Sequence, residues 1–98
     1  MRQLSNGPYM KHPYQFVHEE RIRAHAKHGD LSAEAMGWDN PRWLPILTEE
    51  MGEVARVINE YDLGNINAPE KRAKLIEELI QVAAMACAWI DALTEGEG

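Results

Sequence analysis

Residues that staple or anchor a protein are scarce in this chain: one cysteine, one phenylalanine and ten Lys and Arg among 98 residues. A lone cysteine cannot close an internal disulfide, so the fold holds without one and a reducing compartment suits it. Cys87 lies in the apolar run from Val82 to Ile90 and reads as a small core residue rather than a nucleophile. No run approaches the ~18 apolar residues of a membrane span. Residues 1–8 lack the apolar stretch of a signal peptide, so the cytoplasm is the expected location. Sixteen Asp and Glu give a net charge of -6, and the scattered basic residues form no face for a nucleic-acid polymer. An acidic protein can still hold a phosphate when a divalent cation lies between them. Gly-rich phosphate loops, paired-cysteine zinc motifs, serine nucleophile elbows and internal repeats are all missing. The histidines His12, His18, His25 and His28 lack the i, i+4 spacing of a helical zinc site and read as solvated or capping.

What the chain does have is helical periodicity. Its length is that of one domain, 1–98, near the lower end of what folds alone. Residues 1–13, with Gly7, Pro8 and Pro13, read as an irregular lead-in. A helix is expected from Tyr14 to about Lys27, with Phe16, Val17, Ile22 and Ala26 as a modest apolar stripe and Gly29 and Asp30 as its end. Residues 29–40 read as a loop or short helical turn. A second helix is expected over 41–61, with Asp39 or Asn40 as its cap and Pro41 at its first position. Leu44, Leu47, Met51, Val54, Ile58 and Tyr61 recur there at spacings of three and four, the amphipathic signature. Gly64 is its stop.

The third helix opens on a capping-box candidate, Asn67-Ala68-Pro69-Glu70, and is expected to run to about Leu93, with 94–98 frayed. From Val82 to Ile90 it is apolar almost all round, so it needs cover on several sides. A chain this short is expected to find that cover in a partner copy. The expected fold class is therefore all-α: three to four helices in an antiparallel bundle, completed by a dimer or a dimer of dimers.

The stretch that points to chemistry is Thr48-Glu49-Glu50-Met51-Gly52-Glu53. Glu50 and Glu53 are three apart, so one helical turn puts both carboxylates beside the apolar stripe. A like-charged pair there repels, and a hard dication with oxygen ligands relieves the repulsion. Glu78 and Gln81 repeat this spacing on the third helix, with Met85 and Trp89 further along the same column. If the two helices pack antiparallel through their stripes, Glu50, Glu53 and Glu78 converge at one edge. The plain alternative is that glutamates are good helix formers on a solvated face, which suits Glu49 and Glu77, and that Trp89 is core.

The two elements, EEMGE at 49–53 and EELIQVAA at 77–84, together with ERIRAHAKHGD at 20–30 and RWLPILTEEMGEVA at 42–55, resemble the MazG-like nucleoside triphosphate pyrophosphohydrolases. That superfamily also includes dimeric dUTPases and phosphoribosyl-ATP pyrophosphohydrolases. The resemblance spans roughly residues 16–93. It implies hydrolysis of a nucleoside triphosphate to the monophosphate and pyrophosphate, with Mg²⁺ (Mn²⁺ as an alternative) and self-association as a dimer or tetramer. Glu50, Glu53 and Glu78 match the family's first three magnesium ligands, and Glu49 matches the acid proposed to help activate water. Gln81 stands where the family has an aspartate, so one negative charge is missing and weaker magnesium affinity is implied. Lys27, Arg23 and Arg56 are candidates to grip the terminal phosphates, and Trp89 and Trp43 to meet the base. The competing expectation is a non-catalytic relative that binds a nucleotide, or a helical dimerisation module.

Overall fold

The structure, a computed structural model, describes residues 12–28 and 36–96. Among them are three helices and no strand: α1 (Pro13–His28), α2 (Trp43–Asp62) and α3 (Ala68–Gly96). The all-helical expectation holds. The expected irregularity of residues 1–11, and the loop and helix end expected over 29–35, lie outside the described residues.

Each helix start has a local cause. Pro13 opens α1 rather than belonging to a lead-in, at the position where its missing N–H costs nothing. The His12 Nδ1 accepts the Tyr14 N–H at 3.3 Å, and the Gln15 side chain accepts the His12 N–H at 2.8 Å. Together these act as a reciprocal cap built on histidine and glutamine. The start of α2 differs from expectation. Asn40 accepts the Arg42 N–H at 2.9 Å, but this secures a turn ahead of the helix. Regular helix begins only at Trp43, and Arg42 at its cap makes no side-chain cap bond. The Trp43 indole instead ties the approach down by donating to the Gly37 carbonyl at 2.8 Å. The capping box of α3 is formed as expected, with Asn67 and Glu70 exchanging hydrogen bonds at 2.8 and 2.9 Å. The α3 helix runs to Gly96, so 94–96 are helical and not frayed.

Gly64 takes φ +81 and ends α2, a conformation a β-carbon disfavours. Its N–H donates to the Tyr61 carbonyl at 3.0 Å. The chain then reverses and α3 packs antiparallel to α2, because Trp43 stacks on Trp89 at 5.8 Å while Lys71 lies over the Tyr61 ring at 4.3 Å. Moving from 43 to 61 on one helix moves from 89 back to 71 on the other. α1 packs on α3 alone, with an Arg21–Asp91 ion pair at 2.7 Å.

The core is thin. Among the described residues, the buried apolar ones are Trp43, Val57, Ala84 and Ala88. The α2 stripe is only half used: Leu47 and Val54 are half-buried, whereas Leu44, Met51 and Ile58 stay exposed. The face of α2 that meets α3 is turned away from the centre of the apolar stripe and towards the acidic pair.

Candidate functional site

Trp43, Glu50 and Val57 are seven residues apart and therefore share one face of α2. Trp43 and Val57 are buried, so the Glu50 carboxylate is carried into the seam between them, where it is half-buried. The antiparallel register set by the Trp43–Trp89 and Tyr61–Lys71 contacts brings the Glu78 turn of α3 level with the 50–53 turn of α2. Burial pushes the Glu50 carboxyl above the ordinary glutamate range, and the negative charges of Glu78, Glu53, Glu49 and Glu20 push it further. Carboxylates from both helices thus act on one point.

Glu20 was not singled out from the sequence, and it is the main addition. It stands on α1, its side chain is 12% exposed, and it adds its charge to that felt by Glu50. Arg23 grips it in a bidentate pair, Nε to Oε1 at 2.9 Å and Nη2 to Oε2 at 2.6 Å. That pair draws the Glu20 carboxyl below the ordinary range. Burial opposes the shift, and the nearby Gln81 side chain adds to it. So the residue at the odd position on α3 favours the charged form of a carboxylate from α1. The sequence signal was slight: Glu20 and Arg23 three apart look like any surface pair, and nothing in a linear pattern joins position 20 to position 81.

The remaining candidates fall around this point. Glu53 is half-buried and pairs with Arg56 at 3.0 Å. Glu49 is exposed. Lys27 is exposed and near enough to Glu20 to lower its pKa. Arg23 and Arg56, offered as phosphate grips, are each held by a carboxylate of the cluster. Trp43 is 1% exposed and Trp89 lies flat against it, 3° from parallel, so both indoles serve the helix seam.

The side chains around Glu50 suit a hard dication in kind, being carboxylates with one amide, carried on three helices. Among the described residues, no group of three or more His, Cys, Asp and Glu side chains is gathered closely enough to hold a metal ion as the side chains stand. Two of the carboxylates are turned towards arginines, Glu53 to Arg56 and Glu20 to Arg23. No helix among the described residues is long and apolar enough to cross a membrane. No protein-family model, no curated protein and no solved structure matches the chain significantly.

Proposed function

We propose that the chain is a cytoplasmic, magnesium-dependent hydrolase that converts a nucleoside triphosphate to its monophosphate and pyrophosphate. The observation that supports this best is Glu50: a carboxylate set between buried Trp43 and Val57 and raised by burial and by four other glutamates. A fold gains nothing by concentrating like charge in a helix seam, whereas a cation site needs it. The motif resemblance across 49–53 and 77–84 points to the same chemistry. Glu50, Glu53 and Glu78 are the residues assigned to magnesium, with the Gln81 carbonyl beside them. Magnesium, or manganese in its place, supplies the positive charge that lets a polyphosphate approach an acidic protein.

The chain's own groups have separate tasks. Glu49, exposed on the outer edge of the cluster, accepts the proton of the attacking water. Turning Glu53 inward frees Arg56, and turning Glu20 inward frees Arg23. Each guanidinium is then available to meet a phosphate as a fork. Lys27 adds a point charge near Glu20. Glu20 also offsets in part the charge that Gln81 does not carry.

Pyrophosphate release from a panel of common and modified (d)NTPs, with Mg²⁺ and with Mn²⁺, tests the proposal. Activity that disappears in Glu50→Ala supports it, and its absence from the whole panel sinks it. Titration calorimetry with Mg²⁺ alone tests the site apart from turnover. A second reading, a nucleotide-binding relative without catalysis, is favoured by Gln81 and by the arginine partners of Glu20 and Glu53. Mg²⁺ and nucleotide binding without pyrophosphate release would select it, and gain of activity in Gln81→Asp would return the case to catalysis.

A further inference from the structure

The two ion pairs at the edge of the acidic cluster are unequal. Arg56 and Glu53 meet through a single contact at 3.0 Å, with both side chains open to water at 71% and 46% exposure. A pair of that kind holds with little free energy and parts readily. Arg23 and Glu20 are joined as a fork, by contacts at 2.9 and 2.6 Å. Their access to solvent differs: the Arg23 side chain is 55% exposed and the Glu20 side chain 12%. The carboxylate is the covered partner, and the arginine is the one in water. Glu20 belongs to the cluster through its charge, which is among those that raise the Glu50 carboxyl. While Arg23 is in place that charge is offset at close range. This accords with the finding that, among the described residues, no three acidic side chains stand gathered for a metal ion.

We infer that Arg23 is a latch on the proposed site: it occupies Glu20 in the resting chain and releases it to a polyphosphate, so that divalent cation and polyphosphate load together. The inference rests on the hydrolase reading and adds to it how the site is kept shut. Its basis is a competition for one guanidinium. A carboxylate and a terminal phosphate offer the fork similar paired oxygens, but the phosphate carries more charge. Lys27, one turn further along α1 and exposed, gives an incoming polyanion a second positive charge on the same helix. A lone Mg²⁺ is a poorer key, since it dehydrates reluctantly and Glu20 is covered. Once Arg23 has turned away, Glu20 is left covered and unpaired, a costly state for a carboxylate that a dication relieves. Each ligand thereby raises the affinity of the site for the other by the same factor.

Titration calorimetry of the full chain, with Mg²⁺ alone and with inorganic pyrophosphate alone, separates the two halves of this exchange. Arg23→Gln opens the latch from the basic side and is expected to bind Mg²⁺ at least about fivefold more tightly than wild type, the lower end of coupling between two ligands. Lys27→Gln removes the same charge nearby without undoing the fork, and is expected to change Mg²⁺ affinity by less than about twofold. Glu20→Gln loosens the latch from the acidic side. With divalent cations chelated, it is expected to bind pyrophosphate more tightly than either wild type or Glu19→Gln, which removes equal charge one residue away. Where Arg23→Gln loses its helical circular dichroism, Arg23→Lys replaces it. That variant keeps the charge without the fork, and its gain in Mg²⁺ affinity is still expected to exceed that of Lys27→Gln. Two results overturn the latch and leave the hydrolase reading standing: Mg²⁺ affinity that rises no more in the Arg23 variants than in Lys27→Gln, or pyrophosphate bound no more tightly by Glu20→Gln than by Glu19→Gln. Chain that takes up no Mg²⁺ in wild type or any variant, even with pyrophosphate present, overturns both.

Discussion

The α2–α3 seam and the α1–α3 junction are built from different materials. The first is stacked and filled: Trp43 on Trp89, Lys71 over Tyr61, Val57 buried between them. The second is polar and gapped. Arg21 meets Asp91, the Gln81 side chain helps hold the Glu20 charge, and open grooves remain beside His18, Arg21 and Cys87. A filled seam fixes where Glu50 and Glu78 stand, because burying large rings tolerates one register. A junction of ion pairs holds an element in place with little stability to spare. The two elements of the acidic cluster with the clearest sequence signal belong to the first kind, and Glu20, which a linear reading passes over, belongs to the second.

That contrast can be broken from either side. Trp43→Ala removes the largest buried side chain and its hydrogen bond to Gly37, and is expected to cost about 3–5 kcal/mol in chemical denaturation. Asn67→Ala removes one half of the α3 capping box and should cost about 1 kcal/mol. Glu50→Gln works in the opposite direction. The folded-state pKa of Glu50 is raised, so the stability linked to its protonated form is complete below the ordinary glutamate range and is lost as pH rises through the raised value. The variant is therefore expected to melt higher than wild type at neutral pH, with the gap closing below about pH 4. A gap that persists or widens in acid would contradict the burial of Glu50 among like charges. Asp91→Asn at the α1 junction is expected to lower stability by less than about 1 kcal/mol. A loss as large as that of Trp43→Ala would show that α1 belongs to the core.

The helices were legible because their signals are local. Spacings of three and four along 44–61 and the Asn67–Glu70 box need no knowledge of the rest of the chain, and both are found in place. A capping role was among the readings of His12, but its pairing with Gln15 was not foreseen, because Pro13 looked like a breaker. The rotation of α2 was half legible. Its stripe spans more of the helix than one neighbour covers, so periodicity located the apolar side but not which part of it faces α3. Glu78 was expected on the same side as Glu50 from their places beside the stripes, and its charge is among those that raise the Glu50 carboxyl. Glu20 was not, since its place depends on how α1 lies across α3, and that is set by contacts far apart in sequence.

The link at residues 63–67 sets the phase between two helices as well as their reversal. Inserting a single residue after Gly64 and letting α3 keep its axis would turn it by about a quarter of a circle. Glu77 would then occupy the seam position of Glu78, and the Glu78 carboxylate would move round to the exposed place of Leu79. The separation of a charged side from a greasy side is thus stored in loop length. Changes in that length should be far harder to accommodate than changes in the identity of the exposed residues within it.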